Sequence, residues 1–178
     1  MNGTLEPGSR SVDAHFFGVL RVAGDFRLVS LCRRSAGERL FELVGDIVPK
    51  PSQHSVQIDD DLHLDLDPVP PLEQTLDRFF WRFMNHSCDP NSRLQGRELF
   101  ALRDIEAWEA ITFDYNTTEW HIAHPFVCRC GAAHCLGEIR GYRHLSAEQR
   151  RRIEAHAAAH VRRLAAQSTP RLPTPRGA

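Results

Sequence analysis

The stretch Asn85-His86-Ser87-Cys88-Asp89-Pro90-Asn91 decides how this sequence is read. By residue type alone, Asn85 is a loop amide suited to satisfying backbone groups. Asp89-Pro90 is a structural turn after the cysteine, and Cys88 is a thiol to be weighed with the four others in the chain.

Three of those others stand together downstream, in Cys128-Arg129-Cys130-Gly131-Ala132-Ala133-His134-Cys135. Clustered thiols in a reducing compartment suit tetrahedral zinc, which structural sites hold with four ligands. Buried small hydrophobes are the alternative for free cysteines, but Arg129, Gly131 and His134 are poor core residues. Gly131 lets the backbone turn after the first pair. The fourth ligand must come from elsewhere: Cys88 or Cys32 by type, with His124 or His134 for a three-cysteine site.

The 178 residues suffice for one domain with a real core, and 42% hydrophobic and 25% charged residues are ordinary for a globular chain. A net charge of -1 gives no global basic field, so nucleic acid is not an expected partner. The charge is uneven, however. Asp59, Asp60, Asp61, Asp65 and Asp67 form an acidic stretch, while eight Arg from Arg143 onward outweigh Glu148 and Glu154, a formal +6. Solvated loop charge accounts for most of both, and steering a basic substrate to the acidic side is the functional alternative. No segment reaches membrane-spanning length. Met1–Asp13 lacks the charged start and apolar run of a signal peptide. A cytoplasmic, reducing setting is therefore expected, without excluding the nucleus.

Short β-prone runs dominate: His15–Leu20, Arg27–Cys32, Arg39–Val44, His54–Ile58, Leu62–Leu66, Leu99–Leu102 and Ala110–Phe113. Turn signals fall at Gly24, Ser35-Ala36-Gly37 and Gln95-Gly96-Arg97. Leu62-His63-Leu64-Asp65-Leu66 alternates strictly between apolar and polar. One helix is expected over 146–167: Ser146 and Gln149 form a capping-box signature, and Ile153, Ala157, Val161 and Leu164 make one apolar stripe. The pattern predicts a mainly β domain of several small sheets with a C-terminal α-helix. A loose leader over 1–13 and a disordered tail over 168–178 flank it.

The run Arg82–Asn91 resembles the central motif of SET-domain protein lysine methyltransferases. Phe100–Ile105 and Ile111-Thr112-Phe113-Asp114-Tyr115-Asn116 resemble the segments that follow it there, and Cys128–Cys135 with Gly137–Gly141 looks like the post-SET motif. The likeness is close over roughly 80–145 and loose over 15–68. It implies the SET (β-clip) fold, a SET domain over 14–123 and a zinc-binding post-SET segment over 124–145. It also implies methyl transfer from S-adenosylmethionine to a lysine-containing protein segment.

The resemblance further assigns residues. Cys88 joins Cys128, Cys130 and Cys135 as zinc ligands, while His86 and His134 are non-ligands. Asn85 and His86 contact the cofactor, and Tyr115 is the active-site tyrosine that orients the amine. Phe113 falls at the position that sets methyl number, and a phenylalanine there leaves room for di- or trimethylation. Trp120 and Phe126 read equally as active-site walls and as core. Where the family carries Gly-x-Gly near the cofactor, this chain has Asp25-Phe26-Arg27, leaving the Phe26 backbone and Arg27 as cofactor contacts. Trp108 stands at a turn where the family commonly has glycine. The lost glycines support a second reading: a zinc-clamped, SET-like protein-binding module with weak catalysis.

Overall fold

The computed structural model describes residues 15–168, so the leader over 1–13 and all but Ser168 of the expected tail lie outside the described residues. The first sheet is a hairpin, β1 (Phe17–Val22) against β2 (Asp25–Ser30), with Val22 opposite Asp25. Its two turn residues, Ala23 and Gly24, have φ of 52° and 97°. Positive φ at both positions matches the twist of the flanking strands, which glycine adopts freely and alanine does not.

Two three-stranded sheets combine expected β runs with Asp46–Val48 and Ser92–Gln95, which fall outside those runs. In one, β3 (Arg39–Glu42) joins a hairpin formed further along the chain. In the other, β4 (Asp46–Val48), β5 (Val56–Asp59) and β6 (Leu62–Asp65) lie in the order β4-β6-β5. Next come α1 (Leu72–Arg78) and a 3-10 turn over Phe80–Phe83. The motif itself supplies β7 (Asn85–His86). The hairpin beside β3 is β8 (Ser92–Gln95) with β9 (Glu98–Ala101), turning at Gly96-Arg97 where the sequence signals it. Then β10 (Thr112–Phe113) pairs parallel with β7, and β11 (Phe126–Val127) pairs antiparallel with β12 (Glu138–Ile139).

The main core lies where the hairpin and both three-stranded sheets meet. Phe17 and Leu28 come from the hairpin, Phe41 and Leu99 from one sheet, and Val56 and Leu64 from the other. The Phe17 ring meets Phe41 edge-on at 4.8 Å and stacks on Phe80 at 5.6 Å. Each such buried side chain contributes about 1.5–3 kcal/mol. The fold is mainly β, in several small sheets.

One sequence expectation is corrected. The single C-terminal helix is two, α2 (Ala147–Ile153) and α3 (Ala159–Ser168). The Ser146–Gln149 capping box forms as expected. The break arises because the Ala158 N–H leaves the helical ladder to bond the Thr117 carbonyl at 2.7 Å, while His160 Nε2 bonds the Thr118 carbonyl at 2.6 Å. The alternation in β6 does not separate core from solvent: His63 and Asp65 are buried and Leu62 is exposed. Asp65 can be buried because Arg82 neutralises it at 2.5 Å. Part of the acidic stretch meets part of the Arg-rich end, since Arg163 of α3 pairs with Asp59 and Asp60. The short α1, with no side-chain N-cap, was not anticipated.

Candidate active site

The motif is held mainly by Asn91, which is 1% exposed. Its Nδ2 donates to the Ala110 carbonyl at 2.7 Å and to Glu109 Oε1 at 3.0 Å, and its Oδ1 accepts from Thr112 N at 2.9 Å. This staple sets β10 beside β7, with Phe113 opposite His86. Ser87 Oγ accepts from Asp89 N at 3.1 Å and secures the turn, while the Asp89 side chain faces solvent. At the other end of β7, Asn85 Nδ2 donates to the Phe26 carbonyl at 2.8 Å and ties the motif to β2.

Asn85, His86, Phe26, Arg27, Phe113 and Tyr115 all line one cleft of about 1040 Å³. That is the size of pockets that take a drug-sized ligand with room to spare. Tyr115 is its aromatic centre, with ring centroids 4.7 Å from Phe113, 5.3 Å from His86 and 6.0 Å from Phe126. Its hydroxyl donates to the Met84 carbonyl at 2.8 Å. Burial pushes the phenol well above its ordinary range, so it stays neutral with its oxygen lone pairs available. Phe126 is a wall of the cleft. Trp120 is not: it stacks on Tyr142 at 6.2 Å and packs with Ala157 and Val161.

The His86 ring has both nitrogens engaged. Nδ1 accepts from Tyr115 N at 3.2 Å, which puts the ring proton on Nε2, 3.3 Å from Cys88 Sγ. Burial lowers the imidazole pKa to about 4, so the ring is neutral. Asp114, the N-cap of the 3-10 turn Tyr115–Thr117, accepts from Asn116 N at 2.9 Å and from Asn116 Nδ2 at 2.8 Å. Burial raises its carboxyl to about 6.

The Sγ atoms of Cys88, Cys128, Cys130 and Cys135 all lie within 4.8 Å of one another, and Cys88 is 4.0 Å from both Cys128 and Cys135. Four Zn–S bonds of about 2.3 Å in a tetrahedron need sulfurs about 3.8 Å apart. The donor set therefore fits zinc. Cys32 lies elsewhere, His124 lines the cleft, and His134 spends Nε2 on the Cys88 carbonyl at 2.7 Å. Behind the cluster, Gly141 (φ 101°) crosses the segment Glu119–His121 so closely that an added Cβ would lie 2.8 Å from the Trp120 oxygen.

Sequence reasoning missed Asn91, Arg82 and Glu119. Asn91 sits inside the quoted motif, so its position carried a signal. Glu119 sits in Thr118-Glu119-Trp120 with nothing local to mark it, yet it is buried against the cleft.

Several small sheets, with a central motif strand and a later cysteine segment that close together on an aromatic cleft and share a four-sulfur cluster fit for zinc, define a mainly β class of protein. The chain belongs to the SET domain family, whose model matches residues 25–116, just over half of it. It is 33% identical over 119 residues to the histone-lysine N-methyltransferase ash1 of Drosophila melanogaster, covering 59% of this chain and 5% of that protein. It is 44% identical over 69 residues to an H3 lysine-36 specific histone-lysine N-methyltransferase of Cryptococcus neoformans (34% and 8% covered). With the methyltransferase flvH of Aspergillus flavus it shares 36% identity over 69 residues (36% and 39% covered). The chain thus spans a minor part of the length of these curated relatives. A crystal structure of KRYPTONITE in complex with mCHH DNA, an H3(1-15) peptide and SAH superposes with a TM-score of 0.52 at 23% identity, covering 68% of this chain and 29% of that one, a likeness of fold. Among the described residues no helix is long and apolar enough to cross a membrane.

Proposed function

We propose that this chain is a protein-lysine N-methyltransferase that uses S-adenosylmethionine, with zinc as a structural clamp. The observation that carries the proposal is Tyr115, whose hydroxyl is fixed on Met84 O at the centre of a cleft walled by the motif strand and the cysteine segment. The names of the relatives support it, as does the KRYPTONITE complex with SAH and an H3 peptide. They also make a histone tail, in a nuclear setting, the first substrate class to try.

Asn85 Oδ1, the Phe26 backbone and Arg27 would hold the cofactor, with Arg27 facing its carboxylate. The His86 ring is already committed, so its share is through the backbone and the ring face. When bound, S-adenosylmethionine supplies an electrophilic methyl group. Cys88, Cys128, Cys130 and Cys135 would hold the zinc. Bound there, zinc would cross-link the motif to the cysteine segment and help keep Phe126 against the cleft.

Deprotonating a free lysine at neutral pH costs about 4–5 kcal/mol, and an apolar aromatic channel lowers that cost by disfavouring the ammonium. The Tyr115 oxygen, its own proton engaged by Met84 O, accepts an N–H of the amine and aims the nitrogen lone pair. The rest is alignment. Phe113, buried and without a hydroxyl, leaves space for a partly methylated amine, consistent with di- or trimethylation.

The test is label transfer from radiolabelled cofactor to a histone-tail peptide array by zinc-loaded protein. Tyr115→Phe is expected to lower turnover about 100- to 1,000-fold, the usual cost of losing one positioned polar group, with zinc content and fold unchanged. Normal turnover removes Tyr115 from the mechanism. No calorimetric binding of the cofactor at millimolar concentration favours the alternative, a SET-like binding module. That reading draws on Asp25-Phe26-Arg27 standing in the cleft in place of the family's glycines.

A further inference from the structure

Glu119 follows the 3-10 turn that carries Tyr115, with its N–H bonded to the Tyr115 carbonyl at 2.9 Å. It is 8% exposed and lines the cleft. One carboxylate oxygen is held from behind: Oε1 accepts from Gln57 N at 2.8 Å and from Thr118 Oγ1 at 3.2 Å. Gln57 Oε1 in turn accepts from Trp120 N at 2.8 Å, and the Glu119 carbonyl accepts from Tyr142 N at 2.8 Å. The side chain is therefore fixed in direction by β5 and by the chain end together. The other oxygen, Oε2, is bonded by no group among the described residues and paired with no cation there, and it is not sealed from solvent.

A carboxylate this deep is costly unless something meets its charge. Here two neutral donors occupy one oxygen, and the second is left without a partner on a side chain that lines the same cleft as Tyr115. That is the arrangement of a group awaiting a cationic ligand. We propose, resting on the methyltransferase reading, that Glu119 receives the substrate ammonium and accepts its proton. An N–H bond of the ammonium breaks and its electron pair stays on nitrogen as the lone pair. The proton joins Oε2, giving a neutral carboxylic acid and a neutral amine, and the acid then returns its proton to water in the open cleft. Burial raises the carboxyl to about 7, a match for a base working near neutrality. The negative charge of Glu119 also helps keep the Tyr115 phenol protonated.

Glu119→Gln keeps an oxygen for Gln57 and places an amide NH2 where Oε2 was. The experiment compares wild type and Glu119→Gln on a histone H3 tail peptide and on the same peptide with aminoethylcysteine, a less basic amine, in place of the lysine. The expected result is a loss of about 100-fold or more in kcat/KM on lysine, a clearly smaller loss on aminoethylcysteine, and unchanged cofactor affinity and zinc content. Equal losses on the two peptides, or a lysine rate within threefold of wild type, overturn the proposal. If Glu119→Gln loses zinc or its thermal transition, the same ratio is read on Glu119→Asp, which retracts the carboxylate, and equal losses again overturn it. A wild type with no turnover on either peptide overturns the methyltransferase reading itself and this inference with it.

Discussion

Replacing Gly141 with alanine tests how the chain end is docked behind the cleft. The new Cβ would stand 2.8 Å from His121 Cα, 2.8 Å from the Trp120 oxygen and 3.0 Å from the Glu119 oxygen. All three are backbone atoms, so no side chain can rotate away, and overlap of this kind costs about 1–3 kcal/mol. The φ of 101° adds strain for an L-residue, about 1–2 kcal/mol. The smaller entropy of the unfolded alanine chain returns about 0.4–1 kcal/mol. The net loss is about 3 kcal/mol, a large part of the 5–15 kcal/mol that holds a typical domain together. Urea denaturation with excess zinc should show the midpoint falling by about 1.5 M at an m-value of about 2 kcal/mol/M. Gly137→Ala is the control, because its φ is 75° but nothing lies within 4 Å of its added Cβ. It should lose only the conformational part. Equal losses in the two variants, or a Gly141→Ala loss below about 1 kcal/mol, refute the overlap argument.

Cys135→Ser should abolish stoichiometric zinc in metal analysis and expose the amides of residues 124–145 to fast hydrogen exchange, since structural zinc contributes about 10–16 kcal/mol apparent at neutral pH. Retained zinc at full stoichiometry would contradict the four-thiolate site. Trp108, 64% exposed with φ 69°, should be replaceable by glycine with a gain of about 0.5–1 kcal/mol, strain relief minus unfolded entropy, read as a higher urea midpoint. Arg82→Ala should cost about 3–5 kcal/mol by stranding Asp65. Although burial works against it, the Asp65 carboxyl lies below its usual range because Ser52, Leu66 N and Arg82 favour the anion. The stability it contributes is present above the unfolded carboxylate value and disappears as pH falls through the lower folded value. The acid limb of a pH–stability curve should therefore flatten in Arg82→Ala.

What the sequence discloses follows from how local each signal is. The cysteine run, the Ser146 cap and the Gly96 turn depend on neighbours a few residues apart and form as read. The motif strand Asn85–His86 is not among the expected β runs, because it forms only against Thr112–Phe113. Chemistry alone left the fourth sulfur open between Cys88 and Cys32, because only the fold brings position 88 to position 128. The alternation in Leu62–Leu66 carries no sign that Arg82 covers Asp65, because that partner lies 17 residues away. The break between α2 and α3 depends on the Thr117 and Thr118 carbonyls, some 40 residues earlier in the chain. Glu119 was invisible for the same reason: its meaning comes from Gln57, 62 positions away.

The sulfur cluster also has a topological consequence. Cys88 and Cys128 are 40 residues apart, so an ion held by both closes a ring of chain that contains β8, β9, β10, Tyr115 and Glu119. Closing a loop of about that length removes roughly 4 kcal/mol of entropy from the unfolded chain by the cross-link relation. A single proteolytic nick within that ring, for instance at the exposed turn around Trp108, would leave two pieces still tethered through metal, and they would part only when the metal is withdrawn.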